Sequence, residues 1–258
     1  MRAIRIVFFT LIALFVASCG SENHESCEIQ NGIEANLDDW GVRFGSVALI
    51  NFPSPSSDCG ANSDNIVLRI TTGRANAIIL DWKNGIPNLK ERRVSYNFMI
   101  PSVQDWSHIA AFGAYRPPLE GSDPNSSYAF GRLGVDVSHD PTGIDPDKLI
   151  IQYDNAGLPL YLGTNLHDWE EVPGGLLENH WYRLENVITK TEDGGLQITG
   201  TLTDLDGTFF ILVEQEFPSS SVPPWYDGPD TRPAIGILDL IDEQNIDTYI
   251  DAVSISTK

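Results

Sequence analysis

Six residues in the middle of the chain have the side chains that a carbohydrate site uses: His108, Tyr115, Tyr128, Phe130, Arg132 and Asp136. An aromatic ring stacks on the C–H face of a pyranose, and charged side chains bind its hydroxyl or carboxylate groups. The same residue types could serve a polysaccharide lyase, in which a Tyr or His base works beside a cation that neutralises a uronate. The base is then His108 or Tyr115, and the cation is Arg132 or Arg116.

The segments that carry these residues have the pattern of β-strands. Leu133, Val135 and Val137 are alternate apolar residues of one run. Successive side chains of a strand point to opposite faces, so this alternation predicts one buried face. The opposite, solvent-facing and ligand-facing side is then predicted to carry Tyr128, Phe130, Arg132 and Asp136. Other aromatic residues flank these segments, namely Trp106, Tyr153, Tyr161 and Trp169.

The rest of the chain has the same character. β-Branched and aromatic residues gather in short runs bounded by Gly, Pro, Asn and Asp, and long helical periods are missing. Twelve strands are predicted: Ser46–Asn51, Asn65–Thr71, Ala77–Trp82, Val94–Ile100, Ile109–Tyr115, Tyr128–Val137, Leu149–Asp154, Trp181–Thr189, Gly195–Thr203, Thr208–Glu216, Ala234–Leu240 and Tyr249–Ser256. This pattern predicts an all-β fold, an antiparallel two-sheet β-sandwich of the jelly-roll type.

Composition and charge limit the possible partners. The 258 residues are 41% hydrophobic, which suffices for one large core. Against 36 Asp and Glu residues stand only 16 Lys and Arg, so the net charge is −20. Such a charge repels phosphate backbones, and no nucleic-acid partner is expected.

The N-terminus has the features of an export signal. Arg2 and Arg5 precede an apolar run from Ile6 to Val16, which is too short to span a bilayer comfortably. The run leads into Val16-Ala17-Ser18-Cys19, which resembles the lipobox of bacterial lipoproteins. The resemblance implies a signal peptide over 1–18, lipidation of Cys19, a tether over 19–29 and one domain over 30–258. The expected location is the cell envelope, facing the periplasm or the cell surface, with contact to the membrane only through the lipid anchor.

Two further cysteines, Cys27 and Cys59, would then lie in an oxidising compartment. Thiols pair readily in such a compartment, so a disulfide between them is predicted.

Four motifs occur in an order typical of one superfamily. They are Ile33 to Trp40, His180 to Glu185, Ile235 to Ile237 and Tyr249 to Ile255. In this order they resemble the concanavalin A-like lectin/glucanase jelly rolls, which include laminin-G-like domains, over roughly residues 30 to 257. The superfamily contains sugar-binding modules, hydrolases, lyases and adhesive domains, so the resemblance fixes no chemistry.

The resemblance also implies a structural Ca²⁺ ion. Similar jelly rolls hold one with an early Glu and with an Asp of the closing strand, which correspond here to Glu34 and Asp251. The acidic loops at Asp204 to Gly207 and at Asp239 to Asp247 offer further hard oxygen ligands.

The catalytic motifs of the superfamily are missing. The glucanase pattern E-x-D-x-E does not occur, and Glu214 with Glu216 forms only a Glu-Gln-Glu. The alginate-lyase patterns R-[ST]-E-x-R and Q-[IV]-H are absent as well. The expected function is therefore the binding of a glycan or another envelope polymer. A polysaccharide-active enzyme, a lyase rather than a hydrolase, and an adhesive or structural envelope protein are the alternatives.

Overall fold

The computed structural model describes residues 40–43, 46–51, 66–71, 77–82, 90–101, 107–117, 128–137, 146–154, 164–239 and 247–257. These residues form a short 3-10 helix at Ser219–Ser221 and the following strands: β1 (Trp40–Arg43), β2 (Ser46–Asn51), β3 (Ile66–Thr71), β4 (Ala77–Trp82), β5 (Glu91–Met99), β6 (Ser107–Arg116), β7 (Tyr128–Val137), β8 (Lys148–Asp154), β9 (Thr164–Glu171), β10 (Trp181–Lys190), β11 (Leu196–Asp204), β12 (Phe210–Phe217), β13 (Arg232–Asp239) and β14 (Asp247–Thr257). All twelve predicted strands are present; β1 and β9 were not predicted.

The strands form two antiparallel sheets. Sheet 1 has the order β1-β4-β13-β6-β7-β8-β9, and sheet 2 has the order β12-β11-β10-β5-β14-β3-β2. The predicted two-sheet antiparallel sandwich is therefore confirmed. Long-range pairings such as β13 with β6 and β14 with β5 bring distant parts of the chain together in each sheet.

The core lies between the two sheets. Alternate residues of sheet 1, among them Leu133, Val135 and Val137, are buried against alternate residues of sheet 2 such as Leu184 and Leu202. On β11 the burial alternates strictly from Leu196 to Asp204, as expected for a strand with one face in the core. The predicted buried face of β7 is confirmed.

The prediction for Phe130 is wrong. Its side chain is only 1% exposed and packs in the core, with ring centroids 5.2 Å from Phe217 and 6.2 Å from Tyr226. The reason is a kink at Gly131, whose φ of 65° breaks the strand alternation, so that Phe130 and Leu133 both face the core. A sequence pattern in which every second residue faces the core cannot predict where a kink shifts that alternation by one residue.

Several N-terminal predictions lie outside the described residues. These are the signal peptide, Cys19, Cys27, Cys59 and Glu34, which stay predictions. Among the described residues, no helix is long and apolar enough to cross a membrane.

Candidate functional site

The face of sheet 1 opposite the core, called here the outer face, carries most of the predicted site positions. Cross-strand pairing places Ala234, Phe112 and Arg132 side by side on β13, β6 and β7. Two further rows continue toward the edge of the sheet: Gly236, Ala110, Gly134, Ile150 and Trp169 form one, and His108, Asp136, Lys148 and Glu171 form the other.

Arg132, Phe112 and Tyr115 form a buried cluster on this face. The guanidinium carbon of Arg132 lies 5.9 Å from the centroid of the Phe112 ring, and the Phe112 and Tyr115 ring centroids are also 5.9 Å apart. Arg132 is only 4% exposed, and Tyr115 is fully buried. The prediction that Arg132 faces solvent is therefore wrong. The alternation of side chains along a strand predicts on which face of the sheet a residue lies, but not whether that face is exposed to solvent.

At the edge of the same face, side chains are again exposed to solvent. Trp169 on β9 is 48% exposed, and the ammonium group of Lys148 on β8 lies 5.1 Å from its ring centroid. A cation over the face of an aromatic ring is attracted by the ring quadrupole. This pair offers a flat apolar surface and a positive charge at one place, which is what an acidic or hydroxylated sugar ring can use.

Lys148 was missed by the sequence predictions. A signal for it was present, because Leu149 and Ile151 face the core and thereby place Lys148 and Ile150 on the outer face.

The remaining predicted site residues are placed by the backbone. His108 on β6 pairs directly with Asp136 on β7, and Tyr128 pairs with Arg116. His108 and Tyr115 are seven residues apart, so a regular strand would put them on opposite faces. The kink brings both positions to the same face of sheet 1, although seven residues of β6 separate them.

A second polar cluster joins the start of β10 to the β11–β12 turn. The buried Asp204 carboxylate accepts a hydrogen bond from the Asp206 amide at 2.8 Å and another from the Thr208 hydroxyl. His180 Nε2 lies 2.6 Å from Asp204 Oδ1, and His180 Nδ1 lies 3.4 Å from Asp206 Oδ2. Burial alone would raise the pKa of Asp204, but the hydrogen bonds from Thr208, His180 and Asp206 outweigh it and lower that pKa.

Tyr182 packs under this cluster. Its ring centroid lies 4.9 Å from that of His180, and its hydroxyl accepts a hydrogen bond from the Leu177 amide at 2.9 Å. Burial raises the pKa of Tyr182, and the nearby carboxylates of Asp204 and Asp147 raise it further. The tyrosine therefore stays neutral and completes the packing around the polar cluster.

The cluster fits Ca²⁺ poorly. His180, Asp204 and Asp206 each offer a ligand atom, and these atoms lie within 4.8 Å of one another. Calcium prefers six to eight oxygen ligands, whereas one of these three is an imidazole nitrogen that suits a first-row transition metal better. Moreover, both Asp204 oxygens already accept hydrogen bonds from the protein. The geometry is that of a hydrogen-bonded clamp between β10 and the β11–β12 turn.

We expect Asp204→Asn to destabilise the fold by about 1.5 kcal/mol at neutral pH, because it weakens hydrogen bonds to a buried charge. A carboxylate whose pKa is lowered on folding adds stability above its unfolded pKa and loses it as the pH falls through the folded pKa. The difference from the wild type should therefore shrink below about pH 4. Urea unfolding at several pH values measures this. Asp206→Asn is the matched control, because the Asp206 carboxylate is mostly exposed. An equal loss of stability in Asp206→Asn would contradict the clamp.

Comparison with known proteins gives matches among solved structures. No protein-family model matches the chain, and no curated protein matches it. The metal-free lectin I-B4 from Griffonia simplicifolia superposes with a TM-score of 0.51 at 12% identity, covering 89% of this chain and 98% of the lectin. An endo-β-1,4-glucuronan lyase from the fungus Trichoderma reesei gives a TM-score of 0.53 at 15% identity, covering 86% and 93% of the two chains.

A marine PL-14 alginate lyase from Aplysia kurodai gives a TM-score of 0.55 at 9% identity, covering 91% of this chain and 96% of the lyase. At these identities the likeness concerns the fold alone. Lectins and lyases share this architecture, so the match does not choose between binding and catalysis. Together with the two seven-stranded antiparallel sheets, it shows that the chain has the concanavalin A-like jelly-roll fold.

Proposed function

We propose that the protein binds a glycan on the outer face of sheet 1, at the end formed by β8 and β9. The observation that carries this proposal is the exposed ring of Trp169 beside the Lys148 ammonium group. An exposed aromatic ring on a sheet face offers a flat apolar surface on which the C–H face of a sugar ring can stack. Lys148 supplies a donor for hydroxyl or carboxylate groups.

Toward the middle of the sheet the outer face is covered, because Ile150 is 1% exposed and Arg132 is 4% exposed. The open part of this face therefore lies at its edge, where Lys148 on β8 and Trp169 on β9 come together. The fold supports the proposal at the level of class, since the similar structures are a lectin and two polysaccharide lyases.

A binding panel on the domain over 30–258 tests the proposal. Alginate and β-1,4-glucuronan represent acidic polymers, and galactomannan represents neutral ones. Affinity electrophoresis with each polymer in the gel should retard the wild-type domain in at least one case. Equal mobility in all gels, at polymer concentrations that retard a known lectin, would refute the proposal.

Lyase activity is the second candidate. Tyr115 and Arg132, a predicted base and a predicted cation, lie beside the ring of Phe112 on the outer face, where both are buried, so a uronate reaches them only if this face opens. In a lyase the base removes a proton from the uronate and the cation stabilises the charge that forms. Release of unsaturated uronate from the acidic polymers of the panel would establish it, whereas retardation without any product favours a pure binding module.

We further propose that the domain is tethered to a membrane through a lipidated Cys19. The support is the sequence alone, in which the apolar run from Ile6 to Val16 leads directly into Ala17-Ser18-Cys19. We expect Cys19→Ser to move the protein from the membrane pellet to the soluble fraction, because two acyl chains each contribute about 0.8 kcal/mol per buried methylene. Fractionation of expressing cells measures the shift, with Ser21→Ala as the control. Unchanged partitioning of Cys19→Ser would contradict lipidation.

We also propose that Ca²⁺ stabilises the domain through Asp251. Asp251 on β14 pairs with Asn97 on β5, and among the described residues the buried Asn97 Oδ1 has no hydrogen-bond partner. A carboxylate and an amide oxygen are the ligands that Ca²⁺ prefers. Free Ca²⁺ at about five times its Kd should stabilise the fold by about 1 kcal/mol. Calorimetry in Ca²⁺ and in chelator measures this, and an identical midpoint in both would remove the site. In Asp251→Asn the shift should vanish.

A further inference from the structure

The acidic residues around the Trp169–Lys148 pair limit what this site can bind. Lys148 pairs with Asp136 on β7 and with Glu171 on β9, so an acidic residue lies on each side of it in the cross-strand row. The Cβ atoms of directly opposite residues in an antiparallel pair are about 5 Å apart. The formal charge of these three residues together is therefore negative, although the row contains a lysine.

The acidic residues of β9 are exposed to solvent like the aromatic ring. Glu171 lies two residues after Trp169 on the same face, about 7 Å along the strand, and Glu170 lies between them at the edge of the sheet. Both glutamates are exposed. Exposed charges act on each other over about 8 Å at physiological ionic strength. A carboxylate bound on the Trp169 ring would thus be repelled by both glutamates.

The strands that form the site contain little positive charge to offset this repulsion. Lys148 is the only lysine or arginine of β8 and β9, whereas the two strands contain four acidic residues: Asp154, Asp168, Glu170 and Glu171. Arg132 is 4% exposed and lies four residues from Asp136 along β7, which places it about 13 Å from the row. Negative charge therefore prevails where a ligand would bind.

We propose that the Trp169–Lys148 pair selects glycans of neutral sugars and excludes polyuronates. The inference rests on the proposed function, whose site it narrows to one class of ligand. A neutral sugar stacks on the ring, and Lys148 donates hydrogen bonds to its hydroxyl groups. A polyuronate has a carboxylate in each sugar, which would approach Glu170, Glu171 and a chain with a net charge of −20. The same charges count against the lyase candidate.

Matched ligands and matched variants test this inference. β-1,4-Glucuronan and hydroxyethyl cellulose both have a β-1,4-linked backbone of glucose configuration, but only the glucuronan has a carboxylate in each sugar. Affinity electrophoresis with these two polymers, alginate and galactomannan is run at low and at physiological salt. The wild type is compared with Glu171→Lys and with Glu216→Lys. Glu216 is exposed on β12 of sheet 2, so its variant makes the same change in net charge away from the site.

We expect a neutral polymer to retard the wild type equally at both salt concentrations, because its binding involves no ligand charge. Alginate and glucuronan should bind at least about tenfold more weakly than the better neutral polymer. In Glu171→Lys the ratio of acidic to neutral affinity should rise about tenfold at low salt, because the charge beside Trp169 changes by two units, and the rise should shrink at physiological salt. Glu216→Lys should raise the ratio much less.

A wild-type domain that prefers alginate or glucuronan to both neutral polymers would overturn the inference and leave the proposed function intact. An equal rise of the ratio in Glu171→Lys and in Glu216→Lys would overturn it as well, because the charges beside Trp169 would then have no special effect on the ligand. If none of the four polymers retards the wild type, the proposed function itself fails and the inference fails with it.

Discussion

Gly131→Val should lower the free energy of unfolding by about 3 kcal/mol. Two effects add at this position. The φ of 65° lies in the left-handed region, where a β-branched residue clashes with its own carbonyl at a cost of about 1–2 kcal/mol. The new Cβ would also lie 2.6 Å from Ile198 Cδ1 in the middle of the core, and overpacking costs about 1–3 kcal/mol. Urea unfolding of the purified domain measures the sum.

Gly174→Val is the matched control. Gly174 has a φ of 75°, but no atom lies within 4 Å of the position its Cβ would take. It should therefore show only the conformational part, about 1–2 kcal/mol. Equal losses in the two variants would mean that packing against sheet 2 does not constrain the kink.

Trp169→Ala should weaken binding to the panel polymer by about 2 kcal/mol, or about thirtyfold, because an exposed ring that stacks on a sugar is lost. The stability of the fold should hardly change, since Trp169 is 48% exposed and lies on the edge strand β9. Isothermal calorimetry gives the affinity, and thermal unfolding gives the stability.

Phe210→Ala provides the control for this experiment. Phe210 is 63% exposed, but it lies on β12 at the edge of sheet 2. Its removal should leave polymer affinity as in the wild type. If Phe210→Ala lost affinity and Trp169→Ala did not, the glycan site would belong to sheet 2. Lys148→Gln, which removes the cation from the ring, should have a smaller effect than Trp169→Ala.

The sequence predicted the strands well because most of them pair an apolar face with a polar one. On β7 this alternation predicted the buried face correctly, since all three apolar alternates lie in the core: Leu133, Val135 and Val137. The strand β9, with the sequence Thr-Asn-Leu-His-Asp-Trp-Glu-Glu, was missed because it has no apolar alternation. It is an edge strand, and its ladder to β8 holds it in the sheet.

The candidate site was predicted less well, and for two physical reasons. Phe130 and Leu133 are three residues apart, so a regular strand would put them on opposite faces. The kink at Gly131 interrupts the alternation, and both side chains lie in the core. In addition, alternation cannot show what covers a face, and Arg132 lies buried over Phe112 where solvent was expected. The exposed pair of Lys148 and Trp169 depends on the pairing of β8 with β9, which is a long-range property of the sheet.

Hydrogen exchange with and without saturating polymer tests the central claim most directly, because it locates the site without a mutation. The polymer is the one that retards the wild-type domain in the panel. Bound polymer should protect the segments 148–154 and 164–171 of sheet 1 and leave 196–217 of sheet 2 unchanged. Protection confined to 196–217, or binding without protection of the sheet 1 segments, would contradict a glycan site on the outer face of sheet 1.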